Sequence, residues 1–204
     1  MFGRNLVRRL NLLELLIFIT NLFIVAGVIR HWNDAIFDLE TNGLLYDVTS
    51  IHCLAIYDTE AEQMLVYNDE GNTEPLSRGI QRLEDAECIV GHNIINYDLP
   101  VIRKLYPWFD TRSRVLDTLV LSRVCHPDIL NIDGKRKWKH MPPVLYGRHS
   151  LESYGYRLGE YKGDFGKTSD WKEWSQEMQD YMVQDVVVTT KLWKHFQPYL
   201  NGSR

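Results

Sequence analysis

Two acidic residues at the end of a short apolar stretch constrain this chain more than any other feature of its sequence. Asp38 and Glu40 are separated by one residue in the run 35–40, and a turn follows at Thr41-Asn42-Gly43. Side chains at positions i and i+2 of a strand point to the same face. The two carboxylates should therefore project together and repel each other unless a proton or a cation neutralises them. A divalent cation bound through oxygen fits this pattern, and a solvated strand face would also explain an isolated pair.

Two further acidic segments extend this pair into a candidate site. Asp98 follows the apolar stretch 88–90 and opens a segment in which apolar residues have helical spacing. Tyr181 and Asp185 lie four residues apart in a long helical pattern from about 175 to 196, so they share one helix face. Each feature has an ordinary explanation, since Asp98 also fits a helix N-cap and the last pair fits an amphipathic surface. That all of these ordinary explanations hold at once, in this order, is improbable.

Composition limits the classes of function that suit the chain. It has 204 residues, 45% of them hydrophobic, and a formal net charge of −4. This length suits one domain of ordinary size with an appendage, and the charge excludes a general polyanion binder. A nucleic-acid site would need a local basic surface and metal ions. Cys53, Cys88 and Cys125 lie in apolar patterns without C-x-x-C spacing, which predicts buried reduced thiols in a reducing compartment and no zinc site.

Residues 1–32 differ from the rest of the chain, and the sequence predicts a separate hydrophobic segment there, followed by the main domain at 33–204. Three arginines precede an apolar run at 10–29 that is about long enough to cross a bilayer, although polar residues within it oppose that interpretation. A signal peptide, a helix packed on the domain or on a partner, and a later translation start such as Val28 are alternatives. We favour a segment with no role in the chemistry, and place a membrane anchor second.

The remainder of the chain alternates between strand and helix patterns. Strands are predicted at 35–40, 51–57, 63–67 and 88–92 and at the beginning of 115–121, and helices at 75–83, 99–105, 150–156 and 175–196. Asp117 is predicted to be a helix N-cap rather than a catalytic group. Three early strands followed by helix–strand units predict an α/β fold with a mixed sheet flanked by helices.

One strongly basic segment, residues 134–140, is a candidate contact for nucleic acid. We predict a loop there, between Asp133-Gly134 and Pro142-Pro143. Cations interleaved with an aromatic ring suit a single strand, because phosphates meet the cations while a base stacks on the ring. A solvated loop without a ligand fits the segment equally well. The candidate contacts are Lys135, Arg136, Lys137 and Trp138.

The three acidic motifs together resemble the DEDD superfamily of 3′–5′ exonucleases, in its tyrosine branch. The sequence resembles more closely still the proofreading exonuclease domain of T-odd phage family-A DNA polymerases. Segments 116–123, 149–160 and 183–189 extend the likeness, which covers roughly residues 35–200. Two features depart from that family: the N-terminal hydrophobic run has no counterpart there, and the 204 residues do not include the polymerase domain that the resemblance implies after this region. We expect a free-standing exonuclease or one subunit of a split polymerase; a piece cut from a longer protein is a third alternative, which the unmatched N-terminal run opposes.

The resemblance implies a ribonuclease H-like fold and hydrolysis of the 3′-terminal phosphodiester with two divalent cations, Mg²⁺ or Mn²⁺. Asp38, Glu40 and Asp185 would hold the first ion, and Asp38 would bridge to the second. Asp98 would act mainly through water, and Tyr181 would orient the attacking water.

The resemblance also implies substrate contacts and partners. Single-stranded DNA or a frayed 3′ end is the expected substrate, because the end must be unpaired to enter such a site. Residues Thr41, Asn42, Gly43 and Leu44 would surround the terminal nucleotide, and His92 and Asn93 would reach the penultimate sugar or phosphate. The expected compartment is the cytoplasm, that of the host if a phage encodes the protein. An RNA-directed exonuclease of the same superfamily, a non-catalytic polymerase accessory subunit and a membrane-tethered protein are the competing interpretations.

Overall fold

The computed structural model describes residues 34–136, 138–160 and 171–202, and within them it contains five strands and six α-helices. The strands are β1 (Asp34–Thr41), β2 (Ile51–Asp58), β3 (Gln63–Asn68), β4 (Cys88–Gly91) and β5 (Arg114–Asp117). The helices are α1 (Leu76–Asp85), α2 (Asp98–Leu105), α3 (Thr118–Cys125), α4 (Ile129–Arg136), α5 (Leu151–Leu158) and α6 (Gln176–Leu200), and a short 3₁₀ helix spans Pro143–Leu145.

The strands form one mixed sheet in the order β3-β2-β1-β4-β5. The β1–β2 and β2–β3 pairs are antiparallel, whereas β1–β4 and β4–β5 are parallel. The parallel pairs need crossovers, and α1 and α2 belong to those connections. This arrangement confirms the mixed sheet flanked by helices that the sequence predicted.

Strand β1 lies at the centre of the sheet, and its two faces pack against different helices. Phe37 and Leu39 belong to a buried cluster that includes residues of α1 and α2. Ile36 belongs to the opposite cluster, which contains Met178 and Met182 of α6. Because side chains alternate along a strand, Asp38 and Glu40 must lie on the α6 side with Ile36. Burial of the apolar residues therefore fixes the face on which the two carboxylates appear.

Helix α6 is the long element that crosses this face of the sheet. Ser175 caps its first turn by accepting a hydrogen bond from the Met178 N–H at 3.1 Å. Asp185 follows Met182 by three residues and therefore shares its sheet-facing side, where it is buried. Further along, Leu192 and Phe196 pack in a third cluster with residues of α4 and α5. The helix thus connects the sheet with the α4–α5 region.

Two details differ from the sequence-based predictions. The basic segment was predicted to be a loop from residue 134, but α4 extends to Arg136. Ile129 and Asp133, four residues apart, are both buried and anchor this helix on one face, although its polar composition gives no clear apolar stripe. Cys125 is only partly buried, whereas Cys53 and Cys88 are fully buried, and all three are free thiols.

The predicted hydrophobic segment 1–32, with its apolar run 10–29, lies outside the described residues. Lys137 also lies outside them. Among the helices that the structure describes, none combines the length and the hydropathy needed to cross a bilayer.

Candidate metal centre and its cleft

Three of the four predicted carboxylates converge. Asp38 and Glu40 from β1 and Asp185 from α6 carry oxygen atoms that all lie within 4.8 Å of one another. In the part of the chain that the structure describes, no other group of three acidic, histidine or cysteine side chains meets this criterion. Asp185 is 4% exposed, so its charge is largely removed from water. Three carboxylates this close repel strongly unless a cation or protons offset them.

The register of β1 and β2 leaves room for this cluster. Asp38 lies opposite Ala55, and Glu40 lies opposite Cys53; both partners are small and fully buried. Burial raises the pKa of the Cys53 thiol, and the negative charges of Glu40 and Asp38 raise it further. Cys53 therefore stays neutral and is a poor metal ligand, because thiols bind metals as thiolates.

Asp98 lies near the cluster but outside the group of three. It lines the same pocket of about 250 Å³ as Asp38, Glu40 and Asp185. Burial raises its pKa to about 7; the charge of Asp117 also acts to raise it, while hydrogen bonds from the N–H groups of Asp98 and Leu39 act to lower it. Asp98 is not the N-cap of α2, which was its alternative predicted role, because Tyr97 occupies the N-cap position and Asp98 is the first helical residue.

The loop between β4 and α2 brings His92 and Asn93 to the same pocket. Strand β4 ends at Gly91, where a Cβ atom would lie only 2.2 Å from a methyl carbon of Ile94, so glycine is required by this close approach. Asn93 has a φ of 67°, in the left-handed region that asparagine tolerates better than most residues. His92 contacts the Thr118 hydroxyl through Nδ1 at 2.9 Å. The loop is therefore tightly defined.

Asp117 stabilises this loop through hydrogen bonds to its backbone. Its buried carboxylate accepts hydrogen bonds from the N–H of Asn93 at 2.9 Å, of Ile95 at 3.1 Å and of Leu119 at 2.9 Å. The predicted N-cap role is confirmed by the Leu119 contact. The other two contacts, which the sequence did not predict, connect the start of α3 to the loop that precedes Asp98.

Replacing Asp117 with alanine should lower the free energy of unfolding by about 2–4 kcal/mol, because three backbone N–H groups lose their acceptor and buried donors are costly to leave unsatisfied. Asp117→Asn retains one carbonyl acceptor and should fall between wild type and alanine. Urea denaturation of the three proteins measures the effect. Equal stability of Asp117→Ala and wild type would show that the loop does not depend on this carboxylate.

Tyr181 completes the set of predicted catalytic residues in the pocket. It lies one helical turn before Asp185 and lines the pocket with it. Its ring meets the edge of Trp171, with 6.3 Å between centroids and an interplanar angle of 73°. Trp171 was not predicted, since it lies ten residues before Tyr181 in a segment without a recognisable pattern. Its contact with Tyr181 depends on the tertiary fold.

A neighbouring pocket of about 320 Å³ contains three of the four residues predicted to surround a terminal nucleotide. Its lining comprises Glu40, Thr41, Gly43, Leu44, Tyr97 and Trp171. Leu44 is 75% exposed, so an apolar side chain stands open to a ligand. Asn42 is absent from this lining, and its Oδ1 accepts hydrogen bonds from the N–H groups of Thr49 and Ser50 at 3.0 and 3.1 Å.

A larger cleft of about 750 Å³ is lined in part by Asp38, Tyr181 and Asp185. Its lining also contains Arg123, Arg148 and His149, which were not predicted from the sequence. The Nδ1 of His149 lies 2.6 Å from the Ser122 hydroxyl, which lies 2.6 Å from the Tyr154 hydroxyl. Burial lowers the pKa of His149, and nearby arginine charges lower it further. Arg123 and His149 lie in segments 116–123 and 149–160, which extend the family likeness, but that likeness assigned a role to neither residue.

The predicted basic contacts lie elsewhere. Arg136 and Trp138 line a separate pocket that shares no residue with the carboxylate pocket or the large cleft. Lys135 is exposed at the end of α4. Among the described residues, these basic side chains do not share a pocket with the carboxylates, whereas Arg123 and Arg148 line the large cleft together with Asp38 and Asp185.

Comparison with known proteins gives a consistent picture. The model of a family described as the RNase_H superfamily matches residues 35–197. The chain is 34% identical over 189 residues to the DNA-directed DNA polymerase of Escherichia phage T7, and equally so to that of Enterobacteria phage T3. Each match covers 79% of this chain and 27% of the polymerase. The chain thus spans about a quarter of the length of these relatives.

Solved structures share the fold at low sequence identity. A structure described as the apo form of the nuclease has a TM-score of 0.57 at 18% identity, covering 87% of this chain and 78% of that one. Brucella melitensis NrnC with bound Mg²⁺ has a TM-score of 0.55 at 19% identity, covering 85% and 76%. The Aedes aegypti Nibbler EXO domain has a TM-score of 0.55 at 12% identity, covering 91% and 87%.

Proposed function

Because the chain belongs to the ribonuclease H superfamily, in which its acidic motifs mark the DEDD exonucleases, we propose that it is a metal-dependent 3′–5′ exonuclease acting on single-stranded or frayed DNA. One observation carries this proposal: Asp185 follows Glu40 by 145 residues in the sequence, yet Asp38, Glu40 and Asp185 present oxygen atoms within 4.8 Å of one another. A protein that only binds nucleic acid gains nothing from such a cluster, because it repels phosphate.

The donor set fits divalent cations such as Mg²⁺ or Mn²⁺. All candidate ligands are carboxylate oxygens, which hard cations prefer, and the nearest thiol, Cys53, is kept neutral by burial and by the same charges. Asp38, Glu40 and Asp185 would hold the metal, with Asp98 in the same pocket. When bound, two such ions activate water and stabilise the attacking and leaving oxygens of a phosphodiester.

The side chains around the carboxylates would position the attacking water and the substrate. Tyr181 lies one turn before Asp185 and lines the same pocket, which supports our assignment of its hydroxyl to orient the attacking water. Leu44 and Trp171 border the adjoining pocket, where we place the terminal nucleoside. Arg123 and Arg148 on the wall of the cleft would neutralise the phosphates that approach the acidic cluster. The predicted contacts His92 and Asn93 line both the carboxylate pocket and the larger cleft.

A digestion assay tests the proposal directly. Single-stranded DNA labelled at its 5′ end should be shortened one nucleotide at a time from the 3′ end in the presence of Mg²⁺ or Mn²⁺, and not in EDTA. RNA of the same sequence is the matched substrate. Digestion of RNA alone would assign the protein to the RNA-directed exonucleases, and failure to digest either polymer with any divalent cation would contradict an enzymatic role.

Replacing Tyr181 with phenylalanine should lower kcat about tenfold to a hundredfold, because the ring stays in place while the hydroxyl that orients water is lost. KM and the melting temperature should change little, since the edge contact with Trp171 does not need the hydroxyl. Tyr46→Phe is the control, because Tyr46 is 93% exposed. Identical kcat values for Tyr181→Phe and wild type would contradict the role given to Tyr181.

The wider biological setting belongs to the same proposal. We assign the exonuclease to residues 33–204 and leave the segment 1–32 without a role in the chemistry. The phage polymerases support a replicative setting in the host cytoplasm, and a separate polymerase chain is the partner class to test by co-purification from infected cells.

A further inference from the structure

A separate pocket, formed where α4, α5 and α6 meet, has a lining suited to a nucleotide. Its volume is about 440 Å³. The lining contains the arginines Arg136 and Arg157, the histidines His126 and His195, and aromatic rings that include Trp138. Among the described residues that line it, none is acidic, although the chain as a whole has a net charge of −4. Cations together with flat rings suit a ligand that has both a phosphate and a base.

The wall of this pocket is built around one buried carboxylate. Asp133, which is fully buried, accepts hydrogen bonds from Trp138 Nε1 at 2.9 Å and from Gly147 N at 2.9 Å. It also accepts two bonds from Arg157, at 3.0 and 2.7 Å. The indole and the guanidinium are therefore held in place before a ligand arrives, which reduces the entropy lost on binding.

Arg157 retains hydrogen-bonding capacity in this wall. Its side chain is 7% exposed, and its Nη1 is buried without an acceptor among the described residues. An unsatisfied nitrogen of a buried guanidinium is rare and favours an additional acceptor. A phosphate or a base carbonyl oxygen would be such an acceptor.

Two contacts within this pocket involve groups that could also contact a nucleotide. The guanidinium of Arg136 stacks 4.5 Å above the Trp138 ring centre, and that arginine is exposed and can yield to another planar group. The Nε2 atoms of His126 and His195 lie 2.9 Å apart, so both imidazoles bring hydrogen-bonding nitrogens to the pocket. A base could take the place of the guanidinium on the Trp138 ring, and a phosphate could contact the imidazoles.

We propose that this pocket binds one nucleotide of the single-stranded substrate, on the 5′ side of the bond that is cleaved. The inference rests on the proposed function. His195 follows Asp185 by ten residues of α6, or about 15 Å at about 1.5 Å per residue. At a stacked rise of about 3.4 Å per nucleotide, the bound nucleotide lies about four or five positions from the 3′ end. A dinucleotide therefore cannot reach the pocket, and a longer strand can.

The proposal is tested by comparing a long substrate, which can reach the pocket, with a dinucleotide, which cannot and therefore serves as the control. Trp138→Ala and Arg136→Ala should each raise KM for an oligonucleotide of about ten nucleotides, by about tenfold for Trp138→Ala, with kcat unchanged. Hydrolysis of a dinucleotide should be unaffected by either change. Trp108→Ala, which alters another half-exposed tryptophan outside this pocket, should match wild type on both substrates. Equal loss on both lengths, or no loss on either, would overturn the proposal.

A binding measurement separates failure of this inference from failure of the proposed function. Fluorescence anisotropy with a labelled ten-nucleotide DNA in EDTA, on the Asp38→Ala background, needs no catalysis. Binding should weaken about tenfold when Trp138→Ala is added, and this result would support the pocket even if no cleavage is found. Tighter Trp138-dependent binding of a free nucleoside monophosphate than of the oligonucleotide would assign the pocket to free nucleotides and overturn the proposal. Thermal melts of both tryptophan variants establish that they are folded.

Discussion

Asp38→Ala is expected to abolish digestion of single-stranded DNA while leaving the protein folded. Asp38 is the carboxylate assigned to both metal ions, so its loss should lower kcat/KM by about a thousandfold or more, about 4 kcal/mol of transition-state stabilisation. The variant also removes one of three mutually repelling charges within 4.8 Å. Its melting temperature in EDTA should therefore be at least that of wild type.

Metal binding gives a second measurement on the same variant. Mg²⁺ or Mn²⁺ should raise the melting temperature of wild type, because a ligand that binds only the folded state stabilises it, and should have a much smaller effect on Asp38→Ala. Asp47→Ala is the matched control, since Asp47 is exposed in the loop after β1. Retained digestion by Asp38→Ala, or equal metal-induced shifts in both proteins, would contradict the assignment of this site.

Asp133→Ala should cause the largest loss of stability. Removing this carboxylate leaves the Arg157 guanidinium buried without its partner, and breaking a buried ion pair in this way costs about 3–5 kcal/mol. The double variant Asp133→Ala/Arg157→Ala should lose less than the sum of the single variants, because no unpaired charge remains. Lys191→Ala provides the comparison: its ion pair with Glu160 is solvent-exposed, with 47% and 26% side-chain exposure, and should contribute less than about 1 kcal/mol.

The same carboxylate predicts a pH dependence. Burial acts to raise the pKa of Asp133, but hydrogen bonds from Arg157, Gly147 and Trp138 outweigh it and hold the pKa below the ordinary value of 3.8. A depressed carboxyl pKa stabilises the folded state above pH 3.8, and this contribution is lost as pH falls through the lowered value. Urea denaturation at several pH values should therefore show a smaller acid-induced loss for Asp133→Asn than for wild type. Parallel curves would contradict the role of Asp133.

The elements that carry the chemistry could be predicted because their signals are local. The period-two pattern around β1 and the helical spacing around α6 each lie within a few residues, and both elements are observed close to their expected bounds. The fold class followed from the order of these patterns and is confirmed. Helix α4 was missed because its stability depends on buried Asp133, whose partners lie as far away as Arg157.

The cationic lining of the large cleft could not be predicted for the same reason. Arg123 lies in α3 and Arg148 lies in the loop before α5, and only the tertiary fold brings them to one cleft. The contact of His149 with Ser122 spans 27 residues. The basic segment around Trp138, for which a strand contact and a solvated loop fitted the sequence equally well, contributes Arg136 and Trp138 to a separate pocket beside α6.

The sequence by itself determined which residue types lie in which elements: two carboxylates on one face of a strand, a third on a helix with a tyrosine one turn before it, and a fourth at the start of another helix. Only the tertiary structure decided which of them meet. Packing of α6 against the central strand brings Asp185 to Asp38 and Glu40 and leaves Asp98 beside that group. The physical reason is that periodicity acts over a few residues, whereas convergence depends on burial of apolar faces that lie more than a hundred residues apart.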